Sequence, residues 1–278
     1  MLDITEFYGD TTGGIRTYLR EKAAYVEAHQ QYRQVLALPG SRDAITESDG
    51  VRVYRLRGPA VPAQAPYRFM LATGSNRRIV MHERPDVIEV GSPGLVPWIV
   101  RLAARGLPIP VVAFYHSNFP RVFSPWPDRA AWGRRLLHDM AWQYARQIDR
   151  HFAHTIVSSR FVGDNLRRAG IDRVTQIPLG VDLERYHPRR RADRLEVRAR
   201  YDLPAGLIAG FVGRFAPEKE LDTLIAAWPA VYKKTGATLL LVGDGPQRES
   251  LVAQAAGKPW FRLLPYEKDR DLLADLLA

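Results

Sequence analysis

A turn in the last third of the chain combines the residue types that bind a diphosphate. It reads Phe211-Val-Gly-Arg-Phe-Ala-Pro-Glu-Lys219, follows a run from Leu207 that is predicted as a buried strand, and precedes an amphipathic helical pattern from Leu221. Arg214 and Lys219 are therefore expected at the edge of an α/β sheet where ligands bind. A helix amino terminus favours an anion, and a planar guanidinium and a mobile ammonium add two cations. The spacing predicts a diphosphate clamp.

A second strand-to-helix turn has the same character. The apolar run from Thr238 to Val242 leads directly into Gly243-Asp244-Gly245-Pro246 and then into a helical pattern. Either turn by itself fits an ordinary strand-to-helix connection as well as it fits a ligand site, but the pair favours the site. Because Gly243-x-Gly245 lacks the third glycine of the dinucleotide fingerprint, an NAD-dependent enzyme is disfavoured.

The amino-terminal part of the chain has a glycine-rich turn of its own. Leu2 to Phe7 is predicted as a strand, and the double glycine Gly13-Gly14 stands between it and a helical pattern. These glycines provide either a flexible turn or the open space that lets a ligand reach the helix amino terminus.

His116 is the one histidine that directly follows a predicted strand, Val111 to Tyr115. A lone histidine at this place is either a structural residue or part of the ligand-binding edge. A nucleophile pair of His116 with Ser117 is disfavoured, because adjacent residues on a strand point to opposite faces.

Gly213-Arg214-Phe-Ala-Pro-Glu-Lys219 and, further on, Leu-Leu-Val-Gly-Asp-Gly-Pro246 closely resemble glycosyltransferase family 4, the retaining nucleotide-sugar transferases of the GT-B fold. The resemblance implies that Arg214 and Lys219 bind the donor diphosphate. It also implies that His116 contacts the donor sugar near the reacting centre, as the catalytic candidate. We interpret the other site residues as donor-binding, Gly13, Gly14, Gly243, Asp244 and Gly245, or as acceptor-binding, Asn118.

The resemblance implies an architecture as well. We expect an α/β protein of the GT-B type, in which two Rossmann-like domains face a cleft. The family's junction matches Pro178-Leu-Gly-Val-Asp182, with Leu179 in place of the usual asparagine, and we place the boundary near His187. Residues 1–187 then form the acceptor-side domain and residues 188–278 part of the donor domain. The family's Glu-x7-Glu pair would come after residue 278, so we expect an incomplete second domain and a truncated chain.

The expected activity is that of a hexosyltransferase, which moves a sugar from a nucleotide-diphosphate-sugar donor to an acceptor, with retention and without a metal or a cofactor. The alternative is a catalytically silent nucleotide-binding half that needs a missing segment or a partner chain. Two acid pairs have the spacing of metal ligands. Glu47-x-Asp49 falls in a polar segment from Gly40 to Gly50, and Asp269-x-Asp271 is typical of a helix cap.

The composition narrows the classes of partner. The chain has 278 residues, a formal net charge of +10 and no cysteine, which excludes disulfides, thiolate metal sites and cysteine nucleophiles. Positive charge attracts nucleic acid, anionic lipid or phosphorylated small molecules alike, but no nucleic-acid-binding module is recognisable, so no nucleic acid is expected. Without an apolar run of membrane-spanning length or a basic leader, the expected location is the cytoplasm.

The longest helical pattern begins near Asp128. Residues four apart, from Trp132 through Leu136 and Met140 to Ile148, predict a core-facing stripe that also includes Tyr144. The basic and aromatic residues just before it are suited to an anionic bilayer, which adds the hypothesis of peripheral contact with the inner membrane face. They are Arg121, Phe123, Trp126 and Arg129. Many members of the resembled family use lipid-linked acceptors, in line with this hypothesis.

Overall fold

The computed structural model describes residues 1–8, 14–48, 50–62, 67–116 and 131–278. The chain divides into two compact units, Met1–Leu179 and Gly180–Ala278. The division falls inside the segment Pro178 to Asp182.

Unit 1 is built on an eight-stranded sheet in the order β3-β4-β2-β1-β5-β6-β7-β8, in which every pairing is parallel except that of β3 with β4. Helices cover parallel strands on both faces, so the strands are short apolar runs rather than alternating ones. The strands are β1 Leu2–Ile4, β2 Gln34–Gly40, β3 Ala44–Ser48, β4 Val51–Arg57, β5 Ile88–Val90, β6 Val111–Tyr115, β7 His154–Val157 and β8 Val174–Gln176. The helices are α1 Gly14–Ala28, α2 Thr73–Glu83, α3 Val96–Ala103, α4 Ala131–Asp149 and α5 Arg160–Arg168.

Two sequence predictions for this sheet were wrong in detail. Strand β1 ends at Ile4 rather than at Phe7, although Thr5 and Glu6 remain buried. The predicted polar segment contains β3, an antiparallel edge strand whose Ile45 is 66% exposed. Water can bond with the backbone N–H and C=O groups on the open side of an edge strand, and such a strand needs no apolar face. A polar sequence therefore gives no signal for it.

The predicted stripe of α4 was wrong at Leu136 and Met140, whereas Ile148 is in the core as predicted and Tyr144 packs against it. Leu136 and Met140 are 53% and 54% exposed, whereas Ala141, Ala145 and Ile148 are buried. A repeat of four residues drifts around a helix that has 3.6 residues per turn, so the first and last members of such a stripe cannot share one face. Ala145 packs with Val157 of β7 and Val174 of β8, while Leu136 and Met140 present apolar side chains to solvent.

Unit 2 contains a parallel sheet in the order β11-β10-β9. Its strands are β9 Ile208–Val212, β10 Thr238–Val242 and β11 Phe261–Leu264, and its helices are α6 Arg194–Arg200, α7 Leu221–Thr235, α8 Arg248–Ala255 and α9 Arg270–Leu277. The predicted apolar face of α7 is confirmed, since Leu221, Ile225 and Trp228 are buried against β10 and its neighbours. The predicted burial of β9 was wrong: it is at the edge of the described sheet, and Val212 is 37% exposed.

Capping at α9 follows the sequence prediction. The Asp269 carboxylate accepts hydrogen bonds from the N–H groups of Asp271 and Leu272 at 2.8 and 3.3 Å. Asp271 in turn pairs with the Arg190 guanidinium at 2.8 Å, which ties α9 to the short 3-10 helix Pro188–Asp193. The acid pair therefore stabilises a helix end rather than a metal.

No helix in the described residues is both long enough and apolar enough to span a bilayer.

Candidate functional site

In unit 2, the two glycine-containing turns are joined by backbone hydrogen bonds. The Gly213 N–H donates to the Val242 carbonyl at 3.0 Å, and the Phe215 N–H donates to the Asp244 carbonyl at 2.9 Å. The Phe215 carbonyl accepts from the Gln247 N–H at 3.1 Å, and the Phe215 side chain is fully buried. Phe215 therefore anchors the turn that carries Arg214.

Gly243 and Gly245 are needed for this close approach. A Cβ atom on Gly243 would lie 2.0 Å from the Gly213 carbonyl oxygen, and one on Gly245 would lie 2.3 Å from the Phe215 carbonyl oxygen. Contacts this short with backbone cannot be relieved by a rotamer change. Both glycines thus have a structural role that the sequence prediction did not assign, beside any contact they make with a ligand. The Asp244 carboxylate likewise accepts the Gly245 N–H at 2.8 Å.

We expect Gly245→Ala to lower the free energy of unfolding of unit 2 by about 2 kcal/mol, because the added methyl group must push the Phe215 backbone away. Chemical denaturation monitored by hydrogen exchange of α7 and β10 measures the change. Gly206→Ala is the matched control, since a Cβ there meets nothing within 4 Å. Equal stability of the two variants would contradict the prediction.

The two predicted clamp cations are available to a ligand. Arg214 is half-buried and Lys219 is exposed, and neither has a hydrogen bond or ion pair with another side chain in the described part of the chain. Lys219 ends the 3-10 helix Pro217–Lys219, and Glu220, with φ of +52°, joins it to α7 without a side-chain cap. The Thr223 N–H donates to the Glu220 carbonyl at 3.1 Å, whereas the Leu221 and Asp222 N–H groups have no hydrogen bond with described residues and are free to bind an anion.

In unit 1, the structure places only part of the predicted site. Gly13 and Asn118 lie outside the described residues. Gly14 is the first residue of α1, and a Cβ there would meet nothing within 4 Å. Packing against described residues therefore does not explain this glycine.

His116 directly follows β6 and is packed between aromatic rings. Its ring stacks on Phe114, with centroids 4.2 Å apart and planes 17° from parallel, and meets the Tyr18 ring edge-on at 5.1 Å. Burial, assisted by the positive charge of Lys22, lowers the pKa of His116 to about 4, although the Asp3 carboxylate opposes the shift. The imidazole is therefore neutral near pH 7 and has one N–H donor and one acceptor nitrogen.

Behind His116 lies a buried group of charges that the sequence prediction missed. The Lys22 ammonium donates to Asp3 Oδ1 at 2.6 Å and to Glu89 Oε2 at 2.8 Å. Gln34 Nε2 donates to Asp3 Oδ2 at 2.7 Å, and the Tyr18 hydroxyl donates to Glu89 Oε2 at 3.2 Å. Asp3 and Glu89 are directly opposite each other on β1 and β5. An acid in the centre of each of two apolar strands was the signal in the sequence.

The charged groups of this cluster shift one another's pKa values. Burial and the nearby Asp3 raise the pKa of Glu89 to about 7, against the attraction of Lys22. Burial alone would lower the pKa of Lys22, but the two carboxylates raise it. Lys22 therefore stays charged and compensates the acids. No group of three or more metal-ligating side chains occurs among the residues that the structure describes.

Family models match both units. The model described as Glycosyltransferase Family 4 matches residues 12–185, and the model described as Glycosyl transferases group 1 matches residues 206–278.

Two curated relatives come from Mycobacterium tuberculosis. A GDP-mannose-dependent alpha-(1-6)-phosphatidylinositol dimannoside mannosyltransferase is 30% identical over 293 residues, which cover 100% of this chain and 71% of the relative. A GDP-mannose-dependent alpha-mannosyltransferase is 34% identical over 215 residues, which cover 77% of this chain and 53% of the relative. The chain therefore spans between about half and seven tenths of the length of these relatives.

A solved structure shares the fold. The glycosyltransferase from Rickettsia africae ESF-5 superposes with a TM-score of 0.63 at 13% identity, over 98% of this chain and 69% of that chain. At this identity the likeness concerns the α/β architecture alone.

Proposed function

The chain belongs to glycosyltransferase family 4, and we propose that it transfers a hexose, with GDP-mannose as the donor to test first, to a lipid-linked acceptor. The observation that carries the proposal is the Arg214 turn, which is fixed by backbone hydrogen bonds while Arg214 and Lys219 have no described partner. The names of the two mycobacterial relatives support the donor and, for one of them, the phosphatidylinositol-linked acceptor.

The proposed role of the two cations follows from the charge that develops on the leaving diphosphate. Negative charge builds up on the diphosphate as the glycosidic bond breaks, and preorganised cations stabilise it more in the transition state than in the ground state. Arg214 can bind phosphate oxygens as a planar fork, and Lys219 can approach as a point charge. With these cations and the α7 amino terminus, the reaction proceeds without a metal, and we propose that it retains the anomeric configuration.

The first unit holds the sugar and the acceptor in this proposal. His116 is neutral, so it can accept or donate a hydrogen bond to a sugar hydroxyl without adding charge near the reacting carbon. Gly13 and Gly14 leave room for the donor phosphate, and Asn118 contacts the acceptor.

The test is release of GDP from GDP-mannose, compared with other nucleotide sugars and with and without a chelator. Acceptor-dependent turnover of GDP-mannose, unchanged by the chelator, is the expected result, and the anomeric product is read by NMR. Calorimetry with GDP separates binding from turnover. Tight binding of GDP without turnover of any donor would overturn the transferase proposal and favour the catalytically silent alternative.

A lipid-linked acceptor requires contact with a membrane surface, which we place at the cytoplasmic face. The basic and aromatic segment from Arg121 to Arg129 lies outside the described residues, but in α4, which begins at Ala131, Leu136 and Met140 are more than half exposed. Exposed apolar side chains next to a basic segment favour an anionic interface.

We expect Leu136→Glu combined with Met140→Glu to lower co-sedimentation with anionic phospholipid vesicles at least several-fold, since the change replaces inserted apolar area with charge. Leu183→Glu, at a leucine of unit 2 that is 70% exposed, is the control. Binding that is the same for both variants, or that is indifferent to anionic lipid, would remove the proposed membrane contact.

A further inference from the structure

A cavity of about 10 Å³ lies between α1 and the sheet, next to His116. Its lining includes Asp3, Glu89, Gly91 and His116, closed on the α1 side by Ile15 and Leu19. This volume accommodates the centre of one water molecule, and a buried water needs two to four polar partners. Glu89 and His116, which both line the cavity, are the polar side chains that can supply them.

The sheet register brings these groups to one face. Asp3 pairs with Glu89, and Glu89 with Val112 on β6, so all three side chains lie on the face covered by α1. His116 follows the end of β6 and lines the same cavity as Asp3 and Glu89. Gly91 lies beside Thr5 and His116. A Cβ atom on Gly91 would be 3.2 Å from Thr5 Cβ and 3.6 Å from His116 Cδ2.

Of the two acids, Glu89 is the one with a carboxylate oxygen still available to a water in this cavity. Both Asp3 oxygens are used, Oδ1 by Lys22 and Oδ2 by Gln34. On Glu89, by contrast, Lys22 and Tyr18 both donate to Oε2, which leaves Oε1 without a hydrogen bond from any described residue. A carboxylate oxygen can accept further donors, so Oε1 suits a bridging water.

Resting on the proposed contact of His116 with the donor sugar, we propose that Glu89 is a positioning residue: it binds one water molecule in this cavity, and that water fixes which nitrogen of His116 carries the proton. The Phe114 and Tyr18 rings hold the imidazole plane but cannot select between its two neutral tautomers, because neither ring provides a hydrogen bond in that plane. The water-linked carboxylate supplies this selection, and the other ring nitrogen is then left in a defined state for a sugar hydroxyl.

The test is nitrogen NMR of the whole protein labelled with 15N-histidine, with the His116 signals identified by their loss in His116→Gln. The expected result is one dominant tautomer of His116 in the wild type at a pH well above 7, where Glu89 is ionised, and a mixture of both in Glu89→Gln. Gly91→Ala is the second variant, since Gly91 lines the cavity and its methyl group would reduce the space for the water without changing a carboxylate. It is expected to give the same mixture.

Glu83→Gln is the matched control. Glu83 is also a buried carboxylate, and it accepts hydrogen bonds from the Tyr54 hydroxyl and the Arg52 guanidinium, away from His116. Its His116 spectrum should equal that of the wild type. An unchanged tautomer in both Glu89→Gln and Gly91→Ala would overturn the inference. In turnover assays, Glu89→Gln is expected to lower kcat about tenfold with little change in the donor KM. If His116→Gln retained full transfer activity, the proposed role of His116 would fail, while the tautomer measurement would still decide the role of Glu89.

Discussion

Replacement of Arg214 by alanine is expected to lower the rate of sugar transfer by about 100-fold or more, because a fixed donor aimed at developing negative charge contributes that much in comparable sites. The effect should appear mainly in kcat, since the interaction strengthens as the diphosphate departs. Lys219→Ala should lower kcat less than Arg214→Ala does, because the exposed ammonium is at the end of a flexible side chain and is not held in place before the reaction. Steady-state kinetics with the preferred donor measure both.

Stability separates a chemical role of Arg214 from a structural one. Its side chain makes no hydrogen bond or ion pair with described residues, so the melting temperature should be almost unchanged in Arg214→Ala. Arg200→Ala and Lys234→Ala remove equivalent charges from exposed helix positions of the same unit and should leave turnover intact. A kcat for Arg214→Ala equal to that of these controls would contradict the diphosphate clamp.

The turns of unit 2 could be predicted because their chemistry is local. An apolar run followed by glycine and then by an amphipathic helix predicts a strand, a turn and a helix, and β10 has the predicted bounds. The sequence cannot reveal, however, that Gly243 and Gly245 touch the backbone of the other turn. That contact depends on the pairing of β9 with β10, which brings together segments distant in the chain.

The features missed in unit 1 have the same origin. Asp3 and Glu89 resemble ordinary polar interruptions of short strands until the register places them side by side. Lys22 is on α1, and only the packing of α1 over β1 and β5 shows that it compensates both acids. The face of α4 was misjudged because large apolar residues were assumed to be buried, whereas the buried positions of its carboxyl-terminal half are Ala141, Ala145 and Ile148.

Replacement of Lys22 by methionine is expected to lower the free energy of unfolding of unit 1 by about 3 kcal/mol or more. The substitution keeps most of the apolar stem but removes the charge that compensates Asp3 and Glu89, whose side chains are 3% and 10% exposed. Leaving a buried carboxylate without its partner is much more costly than never burying the pair. Hydrogen exchange at β1 and β5 should accelerate by more than about 100-fold, since exchange of core amides follows the free energy of opening.

Two further variants identify electrostatics as the cause. Arg20→Met removes a positive charge from an exposed position of α1, and its exchange should remain close to that of the wild type. Adding Asp3→Asn and Glu89→Gln to Lys22→Met removes the uncompensated charges and should restore part of the lost stability, because neutral amides can still bond with Gln34 and Tyr18. If the triple variant were less stable than Lys22→Met alone, the loss would come from packing of the lysine stem, and the buried ion cluster would not be what stabilises the sheet beneath His116.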